Sequence, residues 1–107
     1  MPYRPPESVR QAAQRGLDLR AEQPESNRAG TAVGIARARD LSNGERISIA
    51  VIKRMISYFA RHEVDKQGEG WGKDSKGYQA WLMWGGDAGR AWAEAMLKRH
   101  EAAKEKR

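Results

Sequence analysis

Apolar residues recur at three- and four-residue spacing along most of this chain, the period of helices rather than strands. The first such run, Val9, Ala12, Ala13, Gly16 and Leu17, follows a proline-rich opening. That opening must stay extended, because proline lacks an amide donor and pushes its predecessor out of helical geometry. Pro6 suits a first helical turn and Glu7 complements the helix dipole, so a helix is expected over 6–22. Gly16 in its middle costs about 1 kcal/mol against alanine unless a neighbour packs closely there. Residues 23–30 are polar and turn-forming and read as a linker. Thr31 is placed to cap a second helix over 31–42, carried by Val33, Ile35, Ala36, Ala38 and Leu41 and stopped by Asn43-Gly44. Arg37, Arg39 and Asp40 face outward in that register.

The clearest local signal lies in the middle of the chain. Ser48 is an N-cap for a helix running to Arg61 or His62, and Ile47 before it can staple onto Ile52. Val51, Ile52, Met55, Ile56 and Phe59 share one face, while Lys53, Arg54, Ser57 and Arg61 occupy the other. Tyr58 borders the apolar face and presents its hydroxyl either to an interface or to a buried partner. From Val64 to Gly77 apolar periodicity is lost, leaving a long loop with Trp71 among glycines, as a plug for the core or as an exposed anchor. Tyr78, Trp81, Leu82 and Trp84 form a short helical or turn segment ending at Gly85-Gly86. Asp87 then caps a last helix over 87–104, whose pattern turns polar beyond Lys98 and is expected to fray.

The expected fold is therefore all-α: a compact cluster of four to five short helices with a Gly/Trp-containing loop. An extended arm covers 1–6, a single helical domain 7–97 and a basic tail 98–107.

Composition sharpens this reading. A 107-residue chain has one modest core, and four tryptophans against one phenylalanine place much of it in a few rings. Each buried indole removes roughly 150–250 Å² from water. Phe59, Trp81, Trp84 and Trp92 are accordingly structural, with Asp87 as a cap. Without cysteine there are no disulfides and no thiolate metal sites. No apolar run is long enough for a signal sequence or a membrane span, so the chain is expected in cytosol-like water.

The net charge is +6, with nine basic against six acidic residues in 1–53 and eleven against eight in 54–107. Such a surface attracts polyanions. Lys53 and Arg54 on the central helix, with Lys98, Arg99, Lys104, Lys106 and Arg107 in the tail, are the nucleic-acid candidates. Tyr58, Trp71, Arg4 and Arg28 are the candidates for contact with a protein partner. Helix two and the central helix are separated by Asn43–Ile47, slightly long for a helix-turn-helix.

Catalytic and cofactor chemistry find no support. The two histidines, His62 and His100, lack partners at metal-binding spacing, and the His62, Glu63 and Asp65 group reads as a helix C-terminus. No serine lies in a nucleophile setting, and Gly68-x-Gly70-x-Gly72 is neither preceded by a strand nor followed by Gly-Lys-Ser/Thr. Gly85-Gly86 reads as a closely packed turn. The expectation is a binding or assembly protein rather than an enzyme, with no cofactor and no metal.

Two blocks, Ser57-Tyr58-Phe59-Ala60-Arg61-His62-Glu63-Val64-Asp65-Lys66 and Ala80-Trp81-Leu82-Met83-Trp84-Gly85-Gly86-Asp87-Ala88-Gly89-Arg90-Ala91-Trp92-Ala93, resemble a short module of tailed bacteriophages and prophages. The likeness also takes in Gly30–Leu41, and so covers most of residues 30–93. The relatives are uncharacterised reading frames, some encoded near head and portal genes. With a phage origin, a small basic chain with a proline-rich arm and a Trp-rich core suits a virion-associated structural protein, capsid-decorating, cement or head-associated, that binds capsid or other head proteins. Its place would be the virion or the cytoplasm of an infected bacterial host. The alternative is a basic helical nucleic-acid-binding protein of phage origin. The resemblance carries over no catalytic residue, and the segment between the two blocks is shorter here than in such relatives.

Overall fold

Hydroxyl side chains fix where three helices begin. Thr31 Oγ1 accepts the Gly34 N–H at 3.2 Å, Ser48 Oγ accepts the Val51 N–H at 3.3 Å, and Ser75 Oγ accepts the Tyr78 N–H at 3.1 Å. The computed structural model describes residues 3–105 and shows an all-α fold of five α-helices. They are α1 Glu7–Glu22, α2 Ala32–Ser42, α3 Ile49–His62, α4 Lys76–Met83 and α5 Gly86–Glu105. Short 3-10 turns at Glu25–Asn27 and Glu63–Gln67 lie between them. The Ser75 cap starts α4 two residues before Tyr78, so the Gly/Trp loop is shorter than its polar composition suggests. Asp87 does not cap α5, which starts at Gly86. Its carboxylate instead accepts the Trp81 indole N–H at 2.9 Å and lies 3.2 Å from the Lys66 ammonium.

The apolar stripes meet in one core. α1 lies against α2, α4 and α5, and α3 packs along α5. Val9, Ala13, Leu41, Ile47, Ile52, Met55, Phe59, Trp81 and Ala93 are buried together, with Trp71, Trp84 and Trp92 partly buried against them. Ile47 and Ile52, the expected staple, both belong to this cluster. Gly16 explains the thin stripe of α1: a Cβ there would fall 2.6 Å from the Met83 amide nitrogen and 2.9 Å from Leu82 Cβ. The backbones of α1 and α4 cross at this glycine. Gly85 does the same for the α4–α5 turn, with φ of +112° and only 2.9 Å between a hypothetical Cβ and Gly89 Cα.

Several expectations are corrected. Residues 3–6 of the N-terminal arm are extended but docked: Tyr3 and Ile47 exchange backbone hydrogen bonds of 2.8 and 2.6 Å, and Pro5 is buried, while Met1 and Pro2 fall outside the described residues. The linker is held as well, since the Arg20 Nε–H donates to the Ala29 carbonyl at 2.6 Å. A fully buried Gln79 makes three bonds there and next to it. Its amide N–H groups donate to the carbonyls of Asn27 and Asp74 at 2.8 and 2.9 Å, and its oxygen accepts the Ala29 N–H at 3.0 Å. Arg37 is not turned outward; its side chain is 19% exposed and reaches Asp40 at 3.4 Å. The tail stays helical to Glu105, exposed along 98–105 except at the half-buried His100.

Candidate functional site

α3 is packed along α5 and touches α4 only lightly, so a groove of about 900 Å³ opens between α3, α4 and the start of α2. The amphipathic pattern of α3 determines what faces it. Arg54, Tyr58 and Arg61 follow one another at helical spacing and line the groove together with Lys53, Ser57 and His62. Arg28 to Thr31, with Val33 and Gly34, supply the wall on the linker side, and Lys76, Gly77, Ala80 and Met83, with Trp84 at the C-cap, the wall from α4.

Charge is strongly one-sided. Arg28, Lys53, Arg54, Arg61 and Lys76 are exposed cations on the groove, against the single carboxylate of Asp65. None of the five is in an ion pair among the described residues, whereas Glu63, Asp87 and Glu94 are engaged by Lys66 and Arg90. Asp65 itself contacts His62 Nδ1 at 2.9 Å. The first turns of both α2 and α4 also border the groove, and the positive ends of two helix dipoles add to the field.

Beneath the cations lies an aromatic stack. Tyr58 is sandwiched between His62, with ring centroids 4.5 Å apart and 27° between planes, and Trp84, at 4.7 Å and 10°. Phe59 meets Tyr58 edge-on at 5.3 Å. Tyr58 is 5% exposed, and its hydroxyl is buried without a hydrogen-bond partner among the described residues. Burial first, and then the Asp65 carboxylate, push its ionisation well above the usual phenol range, with Arg61 acting in the opposite sense. At neutral pH the hydroxyl is a proton donor lacking an acceptor. Trp84, expected in the core, is half-buried and forms part of the groove floor.

No family model, curated protein or solved structure matches this chain. The site therefore has to be judged on its own geometry.

That geometry gathers some of the sequence candidates and separates others. Tyr58, Arg28, Lys53 and Arg54 converge on the groove. Arg4 is exposed on the docked N-terminal segment, outside it. Trp71 is partly buried and set edge-on to Trp81 at 5.6 Å and to Tyr78 at 5.2 Å, the arrangement of a plug. Lys98, Arg99 and Lys104 lie on the exposed end of α5, and Lys106 and Arg107 fall outside the described residues. Partial desolvation, followed by neighbouring cations including Lys104 and Lys53, lowers the pKa of His100. α2 packs on α1 and α4 rather than on α3, so α2 and α3 do not form a helix-turn-helix. Phe59, Trp81 and Trp92 take the structural places expected of them, and Lys66 lies 4.7 Å over the Trp81 ring.

Arg61, Lys76 and Gln79 were not among the candidates. Arg61 was within reach, because its spacing from Arg54 puts both on one helix face. Lys76 lay in an apparent loop, and nothing in the sequence marks Gln79 as a buried residue holding the linker and the Gly/Trp loop in place.

Proposed function

We propose that this chain is a non-enzymatic binding protein whose groove holds nucleic acid. One observation carries the reading: five cations without carboxylate partners among the described residues, drawn from the linker, α3 and α4, surround an aromatic floor. Phosphates are attracted by such a rim, and aromatic side chains favour the faces of bases. The protein is expected to be retained on nucleic acid at low salt, with log affinity falling by about 0.7–0.9 per engaged phosphate for each tenfold rise in salt. Reversing Arg54 and Arg61 to glutamate should lower that slope and abolish most retention. Absence of retention by the unaltered protein at low salt would end the proposal.

The phage resemblance gives this binding a setting, in the virion or in the infected bacterial cytoplasm. A second reading, attachment to capsid or other head proteins, is supported by the exposed, mixed-charge end of α5, which suits a neighbouring protein as well as solvent. No helix of the described residues is long and apolar enough to cross a membrane.

A further inference from the structure

A generic polyanion site needs only surface charge, and the groove has more than that. The rings run in the order Trp84, Tyr58, His62, and both faces of Tyr58 are covered by its neighbours. His62 ends the series, with one face against Tyr58 at 4.5 Å. One of its edges is also taken, because Nδ1 meets the Asp65 carboxylate at 2.9 Å. Asp65 in turn is set against the first turn of α4, where a Cβ on Gly77 would fall 3.0 Å from the Asp65 Cβ. The His62 side chain is still 42% exposed, and it lines the groove. With one face and one edge occupied, that exposure belongs to the outer face of the imidazole and its Nε2 edge. A histidine at a helix end ordinarily turns freely, whereas this ring is fixed by Tyr58 and Asp65. A ligand that settles on it therefore has little ordering left to supply.

Charge stands beside the ring. Arg61 precedes His62 in the chain, and Lys76 precedes Gly77, the residue on which Asp65 rests. Both are exposed on the groove and neither is in an ion pair among the described residues. Resting on the nucleic-acid reading, we infer that the groove takes a single strand, one base of which stacks on the outer face of His62 and continues the Trp84, Tyr58, His62 series, with its flanking phosphates at Arg61 and Lys76. A fixed ring face beside cations suits an unstacked base. A duplex covers its base faces with neighbouring bases, and a sulfated polysaccharide has none to offer. An acidic peptide matches the charge of the rim but carries a ring only where its own sequence supplies one. Every base has such a face, so the strand is held with little regard to sequence. The groove volume of about 900 Å³ is near the upper end of small-ligand sites and admits the neighbouring nucleotides.

The test measures fluorescence anisotropy of a labelled single-stranded oligonucleotide at fixed salt, against its duplex and an abasic strand of equal phosphate number, with heparin and polyglutamate as competitors. The single strand is expected to bind about tenfold more tightly than the duplex or the abasic strand, the effect of one base stacked on a ring. The His62→Ala chain should lose about tenfold on the single strand and nothing on heparin. His62→Phe, which keeps a ring but neither charge nor a partner for Asp65, should retain single-strand affinity. The abasic comparison uses the unaltered protein and so does not depend on how either variant folds. Equal affinity for the abasic and the complete strand overturns the inference, as does a folded His62→Ala chain with undiminished binding, or a loss in His62→Phe as large as in His62→Ala. In these cases, salt-dependent binding of duplex or heparin leaves the broader nucleic-acid reading standing. Displacement by polyglutamate as readily as by unlabelled strand overturns both in favour of an acidic peptide, and failure to bind any polyanion removes both.

Discussion

A phenol buried without a hydrogen-bond partner among the described residues leaves a signature in pH. Tyr58 ionises in the unfolded chain near 10.0, while in the folded chain burial and then Asp65 hold it protonated well above that value. The unfolded state therefore releases this proton first. Stability from Tyr58 is fully present below pH 10.0 and declines as pH rises above it toward the folded value, at up to about 1.4 kcal/mol per pH unit. An alkaline titration followed by tyrosinate absorbance and circular dichroism should show one tyrosine ionising only as helix signal is lost. The Tyr58→Phe chain should lack that late step and lose less stability over the same range. A Tyr58 signal that titrates reversibly in the folded protein would contradict the buried position. At this scale the sequence showed Tyr58 as a border residue and pointed its hydroxyl to an interface or a buried partner; among the described residues it has no such partner, an outcome that depends on side chains from α4 and the turn after α3.

Element packing places the groove where it is. The α1–α4 crossing at Gly16 sets the position of α4, and with it Lys76, Ala80 and Trp84 on the groove wall. Gly16→Ala would gain about 1 kcal/mol of helix propensity yet drive a methyl group into the Met83 backbone, which cannot move aside as a flexible side chain would. A net loss of about 1–3 kcal/mol is expected, measured as a lower denaturant midpoint with unchanged slope. A stabilised variant would show that the crossing is looser than described. The Thr31 and Ser48 caps and the Ile47–Ile52 staple were legible as local patterns of a few residues. The Ser75 cap was missed because the helix it starts is only eight residues long and opens with Lys76 and Gly77, whose polarity resembles the preceding loop.

The molecule measures 51 × 27 × 21 Å, and the end of α5 from Lys98 to Glu105 is exposed except at His100. If that end serves attachment to head proteins, mass spectrometry of purified particles should find the chain at a copy number comparable with the shell proteins. Its absence from particles, with presence in infected cells, would leave nucleic-acid binding as the sole reading. The sequence by itself determined the all-α class, the boundaries of α1 to α3 and the excess of positive charge, because period, caps and composition are local or additive properties. The tertiary structure alone decided that the N-terminal segment docks on Ile47, that Gln79 holds the linker and the Gly/Trp loop, and that Arg28, Arg54, Arg61 and Lys76 gather over a buried phenol. Those facts depend on how separately coded helices cross, and no spacing within a single helix records the angle at which it meets its neighbours.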